Sequence, residues 1–473
     1  MEKTLVADGA SQPAEAALDD KAEARRELAL ISARLERLPF SRWHGKILAA
    51  VATGHLFDAF DAVAIAFVLP VLVVQWHLTP GEVGLLISVG YLGQLIGALI
   101  MGSAAERFGR LPTFRASLLI IALFSFSSVF AWGLGIFLVL RFLQGVGLGG
   151  EVPVAATYLN ELSPAKNRGR IIFTLQSGFS LGTVVTGIIA VWIIPKYGWQ
   201  SMFLIGSLPI VLAAILPRLA PESPRWLAAN GQIREADRVV AQMESHLSSE
   251  ARAKLPPLEV TTPPLRKRPS FTQLFTDGLA ARTIGVWIIA CCTSLTGYGL
   301  IAWMPTLYRT EYQLPVETAL RYGMTSNAVG FAATFVGIML IDYIGRRLTF
   351  MLGFFGSAVP MLYLAYAGTS VPAFQVMVYA SISVMFITFL LCGLYVYSPE
   401  IYPTRIRATG AGAASAWLRI GSIIGPVIVG ALLTRSSIHS VFFLFGGAAV
   451  LGGLAVLTLG LETKGRALDE IAS

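Results

Sequence analysis

Charge is what this sequence has least of. Only 14% of its 473 residues are Asp, Glu, Lys or Arg, while 55% are hydrophobic; an ordinary soluble domain carries roughly a quarter charged residues. A soluble globular reading is excluded. Cysteine is as sparse: Cys291, Cys292 and Cys392 are the three present, all within apolar runs and two of them adjacent. That spacing suits neither a disulfide framework nor a metal knuckle. No nucleophile elbow, Walker loop or metal-ligand cluster stands out, so the expectation is a protein that is not an enzyme and holds no metal and no cofactor. The first forty residues mix Lys, Arg, Asp and Glu with no apolar core, unlike a cleavable signal peptide. They predict a short amphipathic helix on the inner side.

What the chain has in excess is long uncharged runs, about twelve of them, each able to cross a hydrocarbon core of ~30 Å as a helix. The expected fold class is an all-α membrane protein of twelve transmembrane helices in two six-helix bundles. The polar stretch 221–282, with READRVVAQMES as a helical pattern and PPLEVTTPPLRKRPS as a Pro-rich basic tether, separates them. The expected parts are therefore a cytoplasmic segment 1–45, a bundle 46–220, the linker 221–282, a bundle 283–461 and a tail 462–473. Lys and Arg concentrate on one side: Arg107, Arg110, Arg115, Lys166, Arg168, Arg170, Arg346, Arg347, Arg405, Arg407, Lys464 and Arg466. The loops of the other side carry only Lys196, Arg309, Arg321 and Arg435. Positive-inside bias then puts both termini in the cytoplasm of a multi-pass inner-membrane protein. The +8 net charge reads as a match to anionic lipid headgroups and not as a nucleic-acid footprint.

The two halves echo one another. ERFGR (106–110) parallels DYIGRR (342–347), NELSPAKNRGR (160–170) parallels PEIYPTRIRATG (399–410), and PESPR (221–225) parallels ETKGR (462–466). An even number of spans per half makes this a parallel repeat about an axis along the membrane normal. Together with RFLQGVGLGGE in the fourth span, these motifs resemble the major facilitator superfamily over essentially the whole chain after residue 45. Within it the chain resembles the metabolite/proton symporters, in particular bacterial niacin and aromatic-acid carriers and the organic-ion transporters. The sugar-porter branch is similar in its loops. Its paired-Gln and Ser-Gly-Ile-Asn signature in the seventh span is replaced here by CCTSLTGYGLIAWMP (291–305).

Charged groups inside the spans are expensive, about 2.5–3.5 kcal/mol each at the bilayer centre, and so point to use. In GHLFDAFDAVAIAFVLP (54–70) helix rise places Asp58 roughly 16 Å and Asp61 roughly 21 Å from the inner end. Arg141 then lies roughly 8 Å and Glu151 roughly 22 Å below the outer surface. The resemblance implies that Asp61 and Arg141 form a proton-coupling pair; Asp58, three residues away with His55 on nearly the same face, is the alternative proton site. A static ion pair is the plain structural reading. Here His55 is expected to be a neutral hydrogen-bond partner. Arg419, at roughly 16 Å depth, suits bidentate recognition of a carboxylate, and the resemblance to anion-type organic-ion transporters implies the same; pairing with Glu151 or Asp58 across the halves is the alternative.

A flat ring would find Tyr91, Tyr298, Trp303, Phe386, Phe389 and Trp417 as candidate partners, with Gln176 and Asn327 as buried amides. The G-x-G-x-x-G match at Gly145, Gly147 and Gly150 follows no strand, which excludes a dinucleotide loop and suggests close helix packing. Conformational switching is assigned to Glu106, Arg107, Gly109, Arg110, Asp342, Gly345, Arg346 and Arg347, the acids capping neighbouring helix ends. Glu161, Arg168, Arg170, Glu400, Arg405 and Arg407 join that charge network. The resulting expectation is a monomeric, proton-coupled carrier of a small organic anion, an aromatic or heteroaromatic carboxylate such as nicotinate, in a lipid bilayer. A sugar or polyol symporter and a non-transporting receptor on a carrier scaffold are the alternatives.

Overall fold

A computed structural model of the chain describes residues 26–164, 168–258, 260, 270–276, 278–403 and 406–464. Backbone amides cannot be left bare in lipid, so a spanning segment satisfies them internally as a helix. Twelve helices among the described residues are long and apolar enough to cross a membrane. A short helix, α1 (26–37), precedes them. The first half holds α2 (Arg42–Gln75), α3 (Pro80–Phe108), α4 (Arg110–Ser128), α5 (Leu134–Leu162), α6 (Arg168–Tyr197), and a sixth span broken into α7 (Gln200–Gly206) and α8 (Pro209–Leu219). The linker forms α9 (Pro224–Ala229), α10 (Ile233–Ser245) and α11 (Ser249–Ala253). The second half holds α12 (Ala280–Thr310), α13 (Val316–Tyr343), α14 (Arg346–Ala367), α15 (Ala373–Glu400), α16 (Arg407–Arg435) and α17 (Ile438–Leu459).

Local chemistry sets the ends of these helices. Thr79 and Glu82 form a capping box at the start of α3 with Pro80 in its first turn. Pro209 cannot donate an amide hydrogen, and the sixth span breaks just before it. Between α3 and α4 the chain turns at Gly109 (φ +104°), and the same turn recurs between α13 and α14 at Gly345 (φ +93°); side-chain-bearing residues resist that conformation. The repeat seen in the sequence is thus a repeat of backbone geometry.

Glycine also sets how closely α3 and α5 approach. A methyl on Gly93 or Gly97 would strike the carbonyls of Phe142 and Val146, and one on Gly145 or Gly149 those of Gly90 and Gln94. The G-x-G-x-x-G stretch lies inside α5, as the small-residue reading requires.

The apolar cores show how the halves meet. On the face opposite the basic loops one core takes Leu69, Leu72, Leu86 and Phe203 from the first half and Trp303, Leu307, Leu320 and Val441 from the second. Toward the basic loops the core divides. Phe114, Tyr158 and Leu216 belong to a cluster that takes nothing from the second half, and Phe350, Leu390 and Val456 to one that takes nothing from the first. The halves are therefore sealed at one face and parted at the other. At the seal, Ser88 Oγ donates to Ile423 O at 2.6 Å, and Gly84 and Gly430 bring α3 and α16 into backbone contact.

The helix α1 is docked, not loose. Its Ile31 and Leu35, with Leu38 just beyond it, share a core with Val239, Val240 and Met243 of α10. Arg34 pairs with Glu244 at 2.8 Å and with Asp237, Arg37 reaches Glu244 at 3.1 Å, and Arg225 reaches Glu36 at 2.5 Å. The Arg34 hydrogen bond, ahead of that from Arg37, holds the Glu244 carboxyl below its ordinary range against partial burial.

Candidate functional site

Between the halves lies a cavity of about 570 Å³, open toward the basic face, where Asn160, Ile172, Ile341 and Ser415 line it. Of the expected substrate contacts, Tyr91, Gln176, Tyr298, Asn327 and Arg419 are on its wall, with His55 and Asp58. Arg419 on α16 donates from Nη1 to Gln94 Oε1 on α3 at 2.9 Å, across the interface. Tyr91 and Tyr298, one from each half, tilt against each other with ring centroids 5.6 Å apart. Cation, aromatic faces and amides therefore converge from both halves on one space.

His55, Asp58 and Glu151 form the acidic side of that wall. All three are buried, and their ligand-type atoms lie within 4.8 Å of one another. His55 Nδ1 is 3.0 Å from Glu151 Oε2, and Nε2 is 3.0 Å from Gln176 Oε1 on α6. The ring also lies against Phe179. Glu151 Oε1 has no protein partner. The His55–Glu151 hydrogen bond occupies the edge that the two side chains share. His55, expected as a hydrogen-bond partner, is engaged at both ring nitrogens; Gln176 and Glu151 come from helices whose register only packing sets.

Asp61 lies behind this wall, fully buried. Its Oδ1 is 3.1 Å from Ser125 Oγ, which also lies 2.9 Å from Phe203 O, and Oδ2 has no protein partner. One hydroxyl proton cannot serve two acceptors fully. Arg141 shares the level of Asp61, but its Nη1 reaches the main-chain carbonyl of Asp61 at 3.4 Å and Gln144 Oε1 at 2.5 Å. In this state no ion pair joins the two side chains among the described residues.

Four expected ring partners, Trp303, Phe386, Phe389 and Trp417, stand off the cavity. Trp303 is 1% exposed inside the sealed core, Trp417 stacks on Trp287 at 5.2 Å, and Phe386 packs over Gly356 and against Phe389. Each fills a helix–helix contact instead of the space between halves. Gln94 and Tyr395, both on the cavity wall, were missed. Gln94 sits in an apolar stretch of α3 where a lone amide carries little signal.

At the basic edge the repeated motifs form repeated contacts. Arg110 pairs with Glu161 at 2.8 Å, and Arg346 with Glu400 at 3.0 Å. The caps are not the acids expected. Glu222 accepts from the amides of Arg110 and Leu111, and Glu462 from those of Arg346 and Arg347, because the glycine turns aim the first amides of α4 and α14 at those carboxylates. Glu106 instead offers its carbonyl to Trp226 Nε1 at 2.8 Å, and Arg107 lies over the Phe108 ring. Arg407 Nε donates to Tyr402 O at 3.4 Å. The side chains of Asp342, Arg168 and Arg170, and all of Arg405, lie outside the described residues. Burial raises the Glu222 carboxyl above its ordinary range despite its amide partners. At Glu462 burial acts the same way, but four backbone amides outweigh it and hold the group low.

Two parallel six-helix halves around a central cavity lined by buried charged and amide side chains define a membrane transporter of the major facilitator type. Comparison with known proteins narrows this. Residues 51–473 match the family model described as Sugar (and other) transporter, and the chain belongs to that family. It is 34% identical to the "Niacin transporter NiaP" of Acinetobacter baylyi over 93% of this chain and 98% of that one. It is 31% identical to the "Putative niacin/nicotinamide transporter NiaP" of Bacillus subtilis over 90% and 98%. Among solved structures, the E. coli xylose transporter XylE in a partially occluded inward-open conformation is similar with a TM-score of 0.73 at 19% identity, over 90% of this chain and 100% of that one. That likeness is one of fold. Homologues and neighbours alike are transporters, not enzymes.

Proposed function

We propose that the protein is a proton-coupled carrier that takes up a small organic anion, an aromatic or heteroaromatic carboxylate such as nicotinate, by alternating access across the inner membrane. The observation that carries this reading is Arg419 on the cavity wall beside Tyr91 and Tyr298. A guanidinium offers a planar fork to a carboxylate, and the rings offer faces to an aromatic body. The likeness to the two niacin-transporter relatives supports the same substrate class. Protons are carried by the buried acids of α2, Asp58 and Asp61, with Arg141 and Glu151 as their partners. Cotransport of a proton offsets the electrical cost of importing an anion, about 2.3 kcal/mol per charge per 100 mV. Both termini face the cytoplasm, the working unit is the monomer, and the cavity is open inward in this state.

Counterflow in proteoliposomes with labelled nicotinate, benzoate and xylose at two pH values tests the reading. Flux of the two carboxylates, stronger at acidic pH outside, is expected. Xylose flux in their place, or flux of none of the three, sinks it.

A further inference from the structure

The feature the transport reading leaves unused is His55. Both of its ring nitrogens face oxygen: Nδ1 at 3.0 Å from a carboxylate and Nε2 at 3.0 Å from the carbonyl of the Gln176 amide. An ionised carboxylate and an amide carbonyl only accept hydrogen bonds, and a neutral imidazole has one N–H to give. Two acceptors require two N–H groups, which is the imidazolium. From this we infer that His55 carries a proton in the transport cycle and that the Gln176 side-chain amide reports its charge to the substrate cavity.

The step balances without any further reactant. Discharge sends the Nε2 proton to water in the cavity, while the ring keeps Nδ1–H on Glu151. Nε2 then holds a lone pair and needs a donor. Gln176 meets that need only by turning its amide through half a revolution, so that its NH₂ faces the ring and its carbonyl takes the place the NH₂ held. Gln176 is itself part of the cavity wall, so the turn exchanges a donor for an acceptor there. For an anionic guest both changes act in one direction: a positive charge is lost from the wall and a hydrogen-bond donor is withdrawn. A charged His55 favours loading and a neutral one favours release.

The charged and titratable surroundings are consistent with this role. Asp58 lies on α2 itself and Glu151 on α5; across the cavity are Arg419 on α16, Tyr298 on α12 and Tyr395 on α15. Among the described residues, α6 brings the neutral Gln176 and the Phe179 ring against it. At neighbouring Gly54, α4 and α8 meet α2 through Phe114, Leu118 and Leu212. With the carboxylates of Asp58 and Glu151 ionised, His55 and Arg419 balance them; without the His55 proton this wall is left with one excess negative charge.

The inference rests on the anion-carrier reading and deepens it. Its test uses the full chain in proteoliposomes with labelled nicotinate, comparing wild type with His55→Gln and Gln176→Glu. Glutamine at 55 keeps a donor for Glu151 but cannot be charged, so accumulation driven by a pH gradient should be lost. A carboxylate at 176 cannot become a donor and holds the proton on the ring, moving the alkaline limb of the pH profile up by about one to three units. Gradient-driven accumulation by His55→Gln equal to wild type, or an unmoved profile in Gln176→Glu, overturns the inference. A readout independent of either variant's folding is ¹⁵N NMR of histidine-labelled wild type in nanodiscs near neutral pH. Two protonated nitrogens at His55 are expected, and the one-protonated pattern of a neutral ring refutes it. Should wild type move no nicotinate, the transport reading fails while the NMR result still decides the state of His55.

Discussion

The seal between α3 and α16 gives the most direct way to move this protein between its states. A methyl group added at Gly84 would stand 2.5 Å from the carbonyl oxygen of Pro426, where ordinary contact begins at 3.4 Å. Backbone on one helix or the other must retreat by about 0.9 Å, and neither atom belongs to a flexible side chain. Gly430 makes the reciprocal contact with Pro80 O, again at 2.5 Å. Overpacking of this kind costs about 1–3 kcal/mol. In alternating access the sealed face opens in the other state, so the cost of Gly84→Ala falls on the state described here alone. The ratio of the two states should then fall by a factor of about 5 to 150. Cys392 lies on the cavity wall and supplies the readout, as the rate at which a membrane-impermeant maleimide modifies it from the basic face in a Cys291→Ser/Cys292→Ser background. Gly84→Ala should slow modification and Gly84→Ala/Gly430→Ala should slow it further. Gly102→Ala, where nothing lies within 4 Å of the added methyl, should leave it unchanged. A Gly84→Ala protein modified as fast as its parent would refute the assignment of this contact to one state only.

Other outcomes follow from the same geometry. Arg419→Gln removes a charge-assisted contact worth about 1.5–3 kcal/mol, so nicotinate binding by calorimetry should weaken by about 10- to 150-fold, and Arg419→Lys should restore only part of it because it lacks the fork. The caps of α4 and α14 should respond to acid with opposite sign. Glu462, held below its ordinary range, contributes stability above that range and loses it as pH falls; Glu222, raised, is favoured in its protonated form and loses stability as pH rises. Hydrogen exchange corrected for intrinsic rates should therefore show the first turn of α14 opening toward pH 4 while that of α4 does not. Glu244 is held low by Arg34 first and then Arg37, so acidification below about pH 4 should release α1 from α10, seen as faster proteolysis after Arg37.

Composition and periodicity determine the membrane class, the twelve spans and the division into halves, because a helix in lipid answers mainly to its own length and apolarity. The repeated Gly-Arg turns were equally legible, since a positive φ selects glycine wherever it recurs. Arg419, Asp58 and Asp61 announced themselves because a charge in an apolar run has few structural uses. Which of these share a space was not legible. Asp58 faces the cavity and Asp61 does not, although three residues separate them, and only the packing of α4, α5 and α7 around α2 decides that. The same holds for His55, whose partners Glu151 and Gln176 lie 96 and 121 residues away, and for Glu222 and Glu462, which displace Glu106 as helix caps. Local sequence dictates that a helix forms and how deep a side chain sits; the rotation of one helix against its neighbours, a property of contacts distant in the chain, decides what that side chain meets.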